Sequence, residues 1–91
     1  MSMLSSRVAR DQRILWRITE NEAILVDREE GTVLRLNDLA TRIWQRLDGQ
    51  RPLDQIIDEL HEHHQIDRAT LEYDVVKFVH KLIRAELAAR V

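Results

Sequence analysis

The chain has no cysteine, and this absence removes several classes of function at once. Without cysteine there is no disulfide framework, no thiolate metal site and no cysteine nucleophile. Glycine is almost as scarce, because the two glycines at positions 31 and 49 are too few for a glycine-rich phosphate loop. The serines stand only at positions 2, 5 and 6, in a stretch without periodicity, which argues against a catalytic serine triad. We therefore expect no catalysis by this chain alone.

The chain also lacks a charge excess and a long apolar run. Its formal net charge is −2, whereas proteins that are held mainly by phosphate contacts are usually basic. No apolar run approaches the roughly 20 residues of a membrane-spanning helix, and the first ten residues do not resemble a secretory signal. We therefore expect a cytoplasmic domain, monomeric or forming a small oligomer such as a homodimer, with neither a membrane nor a nucleic acid as its partner.

One stretch indicates how the chain is organised. Residues 32–36 alternate in polarity and predict a strand. Asn37 then supplies a good helix N-cap, and Asp38 stands where the helix dipole favours an acid. Apolar residues recur at helical spacing from there until Gly49, which accepts a left-handed backbone cheaply. A strand is thus joined to a helix with almost no linker, so sheet should precede this point and helices should follow it.

The other elements follow from the same patterns. Two further strands are predicted over residues 13–18 and 23–27, and the short connections make the three strands an antiparallel meander. Apolar stripes and helix start signals predict three helices, over residues 38–47, 53–63 and 68–88.

Residues 1–11 show no period, and we expect them to form a flexible tail in front of a single domain over residues 12–91. The predicted fold class is α+β, with a three-stranded antiparallel sheet followed by three helices in a winged helix-turn-helix-like arrangement. That arrangement makes a DNA-binding regulator the main alternative function. Its charges oppose this function, since the second predicted helix carries four acids and no lysine or arginine.

The histidines at positions 61, 63 and 64 form the one cluster with a metal-like composition. A zinc site needs three or four ligands from converging elements, and the sequence fixes no such set here. The helix dipole alone favours histidines at a helix C-terminus. We therefore expect no metal and no other cofactor.

The third predicted helix carries two apolar stripes instead of one. Leu71, Val75, Phe78 and Leu82 form the first stripe, and Val76, Val79 and Ile83 form the second. A helix that packs on one side needs only one stripe. Either both stripes belong to the core, or the second one lines a groove beside the sheet.

An ordered set of residues resembles the PqqD family over about residues 13–87. The set comprises Leu36-Asn37, Ala40, Ile43, Leu47-Asp48-Gly49, Ile56, Leu60, Asp74-Val75, Phe78 and Leu82. The resemblance implies the fold of a RiPP precursor recognition element. It also implies that the chain binds the leader segment of a ribosomally synthesised precursor peptide and presents it to a modifying enzyme. In the family that enzyme is often a radical SAM enzyme, or a leader protease acting with a cyclase. A regulatory module that binds some other protein terminus is a third interpretation.

The resemblance also implies a site, in which the leader adds as a strand to the third predicted strand and packs against the third helix. An edge strand has unpaired N–H and C=O groups, which are a template for such addition. The implied peptide-binding residues are Thr32, Val33, Leu34, Arg35 and Leu36 on the strand and Val76, Lys77, Val79 and Ile83 on the helix. The family often has a glycine-apolar step after this helix, where the present chain has Glu86-Leu87. We therefore expect the helix to continue instead of turning.

Overall fold

The computed structural model describes residues 2–91, and in that range two antiparallel sheets pack with three helices. The strands are β1 (Arg7–Arg10), β2 (Leu15–Thr19), β3 (Glu22–Asp27), β4 (Thr32–Arg35), β5 (Asp48–Pro52) and β6 (Ala88–Arg90). The helices are α1 (Asp38–Arg46), α2 (Leu53–His63) and α3 (Arg68–Arg84), with a short 3-10 turn at Met3–Ser5. The α+β fold class is confirmed. No helix within residues 2–91 is long and apolar enough to cross a membrane.

The predicted meander is present as the sheet β2-β3-β4, which leaves β2 and β4 as its two edges. Leu34 on β4 lies opposite Leu25 on β3, which in turn lies opposite Trp16 on β2. These three side chains therefore share one face of the sheet. Leu25 is buried, whereas Trp16 and Leu34 are partly exposed at the two edges. The helices thus cover the middle of this face and leave its margins open.

The first turn of α1 is fastened to this sheet by side-chain hydrogen bonds. Asn37 Oδ1 accepts the Ala40 N–H at 2.8 Å, as its predicted N-cap role requires. One turn on, the buried Thr41 hydroxyl accepts the Ala23 N–H at 2.8 Å and donates to the Leu36 carbonyl at 3.3 Å. The hydroxyl thus bridges the Ala23 N–H of β3 and the carbonyl of Leu36, which follows β4. This bridge fixes the position of α1 relative to the sheet.

The prediction that residues 1–11 form a flexible tail is wrong for residues 7–10, which form β1. β1 is the central strand of the second sheet, in the order β5-β1-β6, and Val8 is fully buried. Four residues with one buried side chain are too few to show a period, and their partners lie some 40 and 80 residues further along the chain. Met1, the first residue of that predicted tail, lies outside the described residues.

The prediction that the third helix continues to about residue 88 is also wrong, because α3 ends at Arg84. The Leu87 N–H bonds to the Leu82 carbonyl at 2.9 Å and the Glu86 N–H to the Ile83 carbonyl at 3.0 Å. This pair of bonds is the Schellman motif, and Glu86 takes its left-handed position with φ of 60°. The turn buries Leu87 and Ala88 and brings β6 back to β1, which offsets the strain at Glu86.

Candidate functional site

The outer edge of β4 has no strand beside it within residues 2–91. On its inner side, the Leu36 N–H bonds to the Ala23 carbonyl of β3 at 2.8 Å. The direction of backbone groups alternates along an antiparallel strand, so Leu34 also points toward β3, whereas Val33 and Arg35 point away from it. The open edge therefore presents the N–H and C=O groups of Val33 and Arg35.

A cleft of about 530 Å³ lies between β4 and the C-terminal end of α3. We call it the β4–α3 cleft. Leu25 and Leu87 are its buried apolar residues, and Leu34 stands at its side with 43% of its surface exposed. The further residues that line it are Arg13, Asp27, Glu29, Glu30, Thr32, Val33, Arg84, Ala85 and Glu86. The cleft thus offers an apolar floor directly beside an open strand edge.

A smaller depression of about 240 Å³, the α1–α3 pocket, lies past the other end of β4. Its lining residues are Asn37, Leu39, Ala40, Ile43, Asp74, Lys77, Phe78 and Lys81. At 3.6 residues per turn, the α3 residues from Lys77 to Ala85 that line the pocket or the cleft fall within a sector of roughly 120°. One face of α3 therefore borders both depressions.

The structure places the five predicted β4 residues in different surroundings. Thr32, Val33 and Leu34 line the β4–α3 cleft. Arg35 is exposed and forms an ion pair with Glu22 at 2.9 Å on the outer face of the sheet. Leu36 is 4% exposed and belongs to the core, so it contributes no side-chain surface to a ligand.

Of the four predicted α3 residues, Lys77 alone borders one of the two depressions. Lys77 lines the α1–α3 pocket, but Val79 is fully buried in the core. The half-buried Val76 and Ile83 lie roughly 140–160° around the helix from Phe78, on the opposite flank of α3. The apolar pattern identified a second stripe, but a pattern alone does not tell which flank of the helix faces the sheet.

Sequence reasoning instead missed the α3 residues that do border the depressions. Apart from Asp74, one turn earlier, these residues are Phe78, Lys81, Arg84 and Ala85, the last directly after the helix. Their spacing of i, i+3, i+6 and i+7 is a helical face, so the signal was present. The predicted site nevertheless does not include these four residues, because Phe78 fits the first apolar stripe and the wall was predicted from the second stripe.

Charged side chains surround the cleft unevenly. Arg13 lies between Asp11, at 2.7 Å, and Glu29, at 3.0 Å. The hydrogen bonds from Arg13 lower the pKa of Asp11 to about 2. Asp27 Oδ1 accepts the backbone N–H groups of Glu29 and Glu30 and so shapes the β3–β4 turn. The turn end of the cleft is therefore mainly acidic.

Among the histidines near the end of α2, His64 has a local structural contact. The Nδ1 atom of His64 lies 2.9 Å from the Leu60 carbonyl, at the end of the helix. Within residues 2–91 no group of three or more histidine, cysteine, aspartate or glutamate side chains is arranged to hold a metal ion.

Comparisons with known proteins give one family model and two solved structures that are similar to this chain. The family model described as Coenzyme PQQ synthesis protein D (PqqD) matches residues 22–88. The solved structure of TbiB1 in complex with the TbiA(beta) leader peptide has a TM-score of 0.80 and 25% identity, over 88% of this chain and 93% of that one. The structure of lasso peptide synthetase B1 complexed with the leader peptide has a TM-score of 0.81 and 24% identity, over 91% of this chain and 98% of that one. A search of curated proteins finds no match.

Proposed function

Because the chain belongs to the PqqD family, we propose that it binds the leader segment of a ribosomally synthesised precursor peptide and presents it to a modifying enzyme. The observation that carries the proposal is the open edge of β4 beside the β4–α3 cleft. The two similar structures, both complexes with a leader peptide, support it through their shared fold.

In this proposal the leader binds as an added strand along β4. Its backbone pairs with the outward N–H and C=O groups of Val33 and Arg35, which supplies affinity that depends little on sequence. Successive side chains of a strand point to opposite faces, so every second leader side chain enters the cleft beside Leu34. Selectivity then comes from the fit of those side chains against the cleft.

The proposed site therefore differs from the one that the resemblance implied. On β4 it keeps Thr32, Val33, Leu34 and Arg35, with Leu36 as a core residue that anchors the end of the strand. On α3 it keeps Lys77 and adds the exposed or half-buried neighbours on the same face, Phe78, Lys81, Arg84 and Ala85. We call these α3 residues the α3 wall. Val79 lies behind the wall in the core, and Val76 and Ile83 lie outside the proposed site.

The partner belongs to the proposal as well. We place the chain in the cytoplasm, where ribosomes make the precursor, beside a radical SAM enzyme or a leader protease with its cyclase. The chain contributes binding, and the partner contributes the chemistry. A winged-helix DNA-binding role is not favoured by the comparisons, and the exposed face of α2 carries Asp54, Asp58 and Glu62, which would repel phosphates.

The test begins at the strand edge. Val33→Pro removes an outward N–H without removing a bond to β3, so we expect a folded variant that loses leader binding. Val33→Thr keeps the N–H and the β-branched shape and should bind nearly as well as the wild type. The measurement is fluorescence anisotropy with the leader encoded by a neighbouring precursor gene, alongside thermal melts. A folded Val33→Pro variant with unchanged affinity would contradict strand addition at β4.

A matched pair on α3 tests which flank forms the wall. Phe78→Ala should weaken leader binding by about 1 kcal/mol or more, if Phe78 anchors a leader side chain. Ile83→Ala truncates a half-buried side chain on the opposite flank and should change the melting temperature but not the affinity. If Ile83→Ala weakens leader binding and Phe78→Ala does not, the second apolar stripe contacts the leader instead.

A further inference from the structure

The proposed α3 wall carries a stripe of three exposed cations. Lys77, Lys81 and Arg84 are all exposed, and at 3.6 residues per turn they fall within a sector of roughly 60°. Among residues 2–91, none of the three takes part in an ion pair. Lys77 Nζ lies 5.7 Å from the centroid of the Tyr73 ring, a cation–π contact that does not neutralise its charge. Within residues 2–91 no carboxylate therefore neutralises any of the three charges.

The opposite end of the site carries acids that are equally unpaired. Asp27, Glu30 and Glu86 line the cleft near the β3–β4 turn, and within residues 2–91 they also form no ion pair. Two cations line the cleft. Arg13 is already occupied by Asp11 and Glu29, which leaves Arg84 against the three acids, and Arg28 of the turn does not line the cleft. The turn end of the cleft thus retains an excess of negative charge.

The two charged ends lie far enough apart to act separately. Lys77 and Lys81 border the pocket that contains Asn37, just past the C-terminal end of β4, and with Asp74 as its one acid the lining has a net charge of +1. Asp27 pairs with Thr32 at the N-terminal end of β4, Glu30 lies in the turn before it, and Glu86 lines the same cleft from the end of α3. A four-residue strand spans about 13 Å, which exceeds the Debye length of about 8 Å at physiological ionic strength. An extended peptide along β4 would therefore meet opposite potentials at its two ends.

We propose that this site selects a leader strand with an ordered charge pattern, carboxylates at the end beside Lys77 and Lys81 and cations at the end beside Glu30 and Glu86. This inference rests on the proposed function, since it describes the ligand of the same cleft. Every strand pair in the structure is antiparallel. A leader that adds in the same way carries its acids in the N-terminal half and its cations in the C-terminal half. Charge order then fixes the direction and register that main-chain bonds alone leave open.

Three synthetic peptides with one alternating apolar framework test the inference. The first has glutamates in its N-terminal half and lysines in its C-terminal half, the second has the reverse order, and the third has glutamines at all those positions. Titration is followed by the amide NMR signals of Val33 and Arg35, which report binding at the open edge. We expect the acid-first peptide to bind about tenfold more tightly than the reverse order at low salt, from two or three exposed pairs. The difference should shrink at high salt.

A charge-matched pair of variants locates the effect. Lys77→Gln with Lys81→Gln should reduce the preference for the acid-first peptide. Arg17→Gln with Arg90→Gln removes the same charge from two exposed residues that line neither depression and should preserve the preference. Equal affinity for both orders, with signals that still respond at Val33 and Arg35, would overturn the charge inference and leave strand addition standing. Peptides that bind without moving those signals, or not at all, would count against both.

Discussion

At the scale of single residues, Thr41 shows how one hydroxyl holds an element in place. Its Oγ1 is the partner of the buried Ala23 N–H and also bonds to the Leu36 carbonyl. Both backbone groups lie where α1 covers the sheet, so water does not replace the hydroxyl easily. The position of α1, and with it the α1–α3 pocket, depends on this side chain.

Thr41→Val keeps the shape of the side chain and removes its hydrogen bonds. We expect the free energy of unfolding to fall by about 1–3 kcal/mol, because a buried N–H is left without a partner. Thr41→Ser keeps Oγ1 and loses only a methyl group, so its loss should be smaller. Chemical denaturation of the two variants and the wild type measures the difference. Equal losses would mean that packing, not the hydroxyl, is what Thr41 contributes.

Residue identity also explains why the predicted and the proposed α3 walls lie on different flanks of the helix. Phe78 and Val79 are neighbours in sequence, and both fit an apolar stripe. The structure buries Val79 completely and leaves Phe78 half-buried beside the α1–α3 pocket. Only the placement of α1 and β4 around the helix decides between them, and that placement depends on contacts distant in sequence. The β4 strand and its edge position needed only local alternation, so they could be predicted.

At the scale of elements, the sequence predicts the helices and strands that have a local pattern and misses those that depend on pairing with distant residues. β2 to β4 and the three helices have their own periodicity and caps, and their predicted bounds lie within a few residues of the observed ones, apart from the end of α3. β1, β5 and β6 have four, five and three residues, and β5 contains both a glycine and a proline. These three strands exist because they pair with one another, and pairing partners leave no local signal.

The end of α3 offers a test of how much strain the fold accepts. Glu86 has φ of 60°, a conformation that favours glycine. Glu86→Gly should therefore raise the free energy of unfolding by about 0.5–1 kcal/mol, the relieved strain less the added freedom of the unfolded chain. Ala85→Gly is the matched control, since Ala85 has an ordinary φ of −82° and should lose stability on the same change. Thermal and denaturant melts give both values. If Glu86→Gly lowers the free energy of unfolding, the glutamate side chain stabilises the fold by more than the backbone strain at this position destabilises it.

At the scale of the whole molecule, an ion-pair network connects elements of the two halves of the fold. Arg51 in β5 bonds to Asp48 at 3.1 Å and to Glu59 of α2 at 2.6 Å. Glu59 also lies 3.3 Å from Arg46 at the end of α1. Asp48 accepts the Gln50 N–H at 2.9 Å and the Arg51 N–H at 3.1 Å. The network thus joins α1, β5 and α2 where the chain passes from one sheet to the other.

These contacts make the stability of the molecule dependent on pH in the acid range. The hydrogen bond from the Gln50 N–H and the hydrogen bonds from the Arg51 backbone and side chain lower the pKa of Asp48 from 3.8 to about 2. A carboxyl with a lowered folded-state pKa binds its proton more tightly in the unfolded chain, so its stabilisation is present above about pH 4. The stabilisation is lost as the pH falls from about 4 to 2, and Asp11 acts in the same direction in the same range.

Asp48→Asn is the variant that tests this linkage. Asparagine can still accept the backbone N–H groups, but it does not titrate, so the fall in melting temperature between pH 4 and pH 2 should be shallower than in the wild type. It should not vanish, because Asp11 still titrates. Asp54→Asn is the control, since Asp54 is exposed and, within residues 2–91, accepts no side-chain hydrogen bond and forms no ion pair. Melts followed by circular dichroism at closely spaced pH values give the slopes. If Asp48→Asn and Asp54→Asn have the same slope as the wild type, the junction between the sheets is held by packing and not by the charge of Asp48.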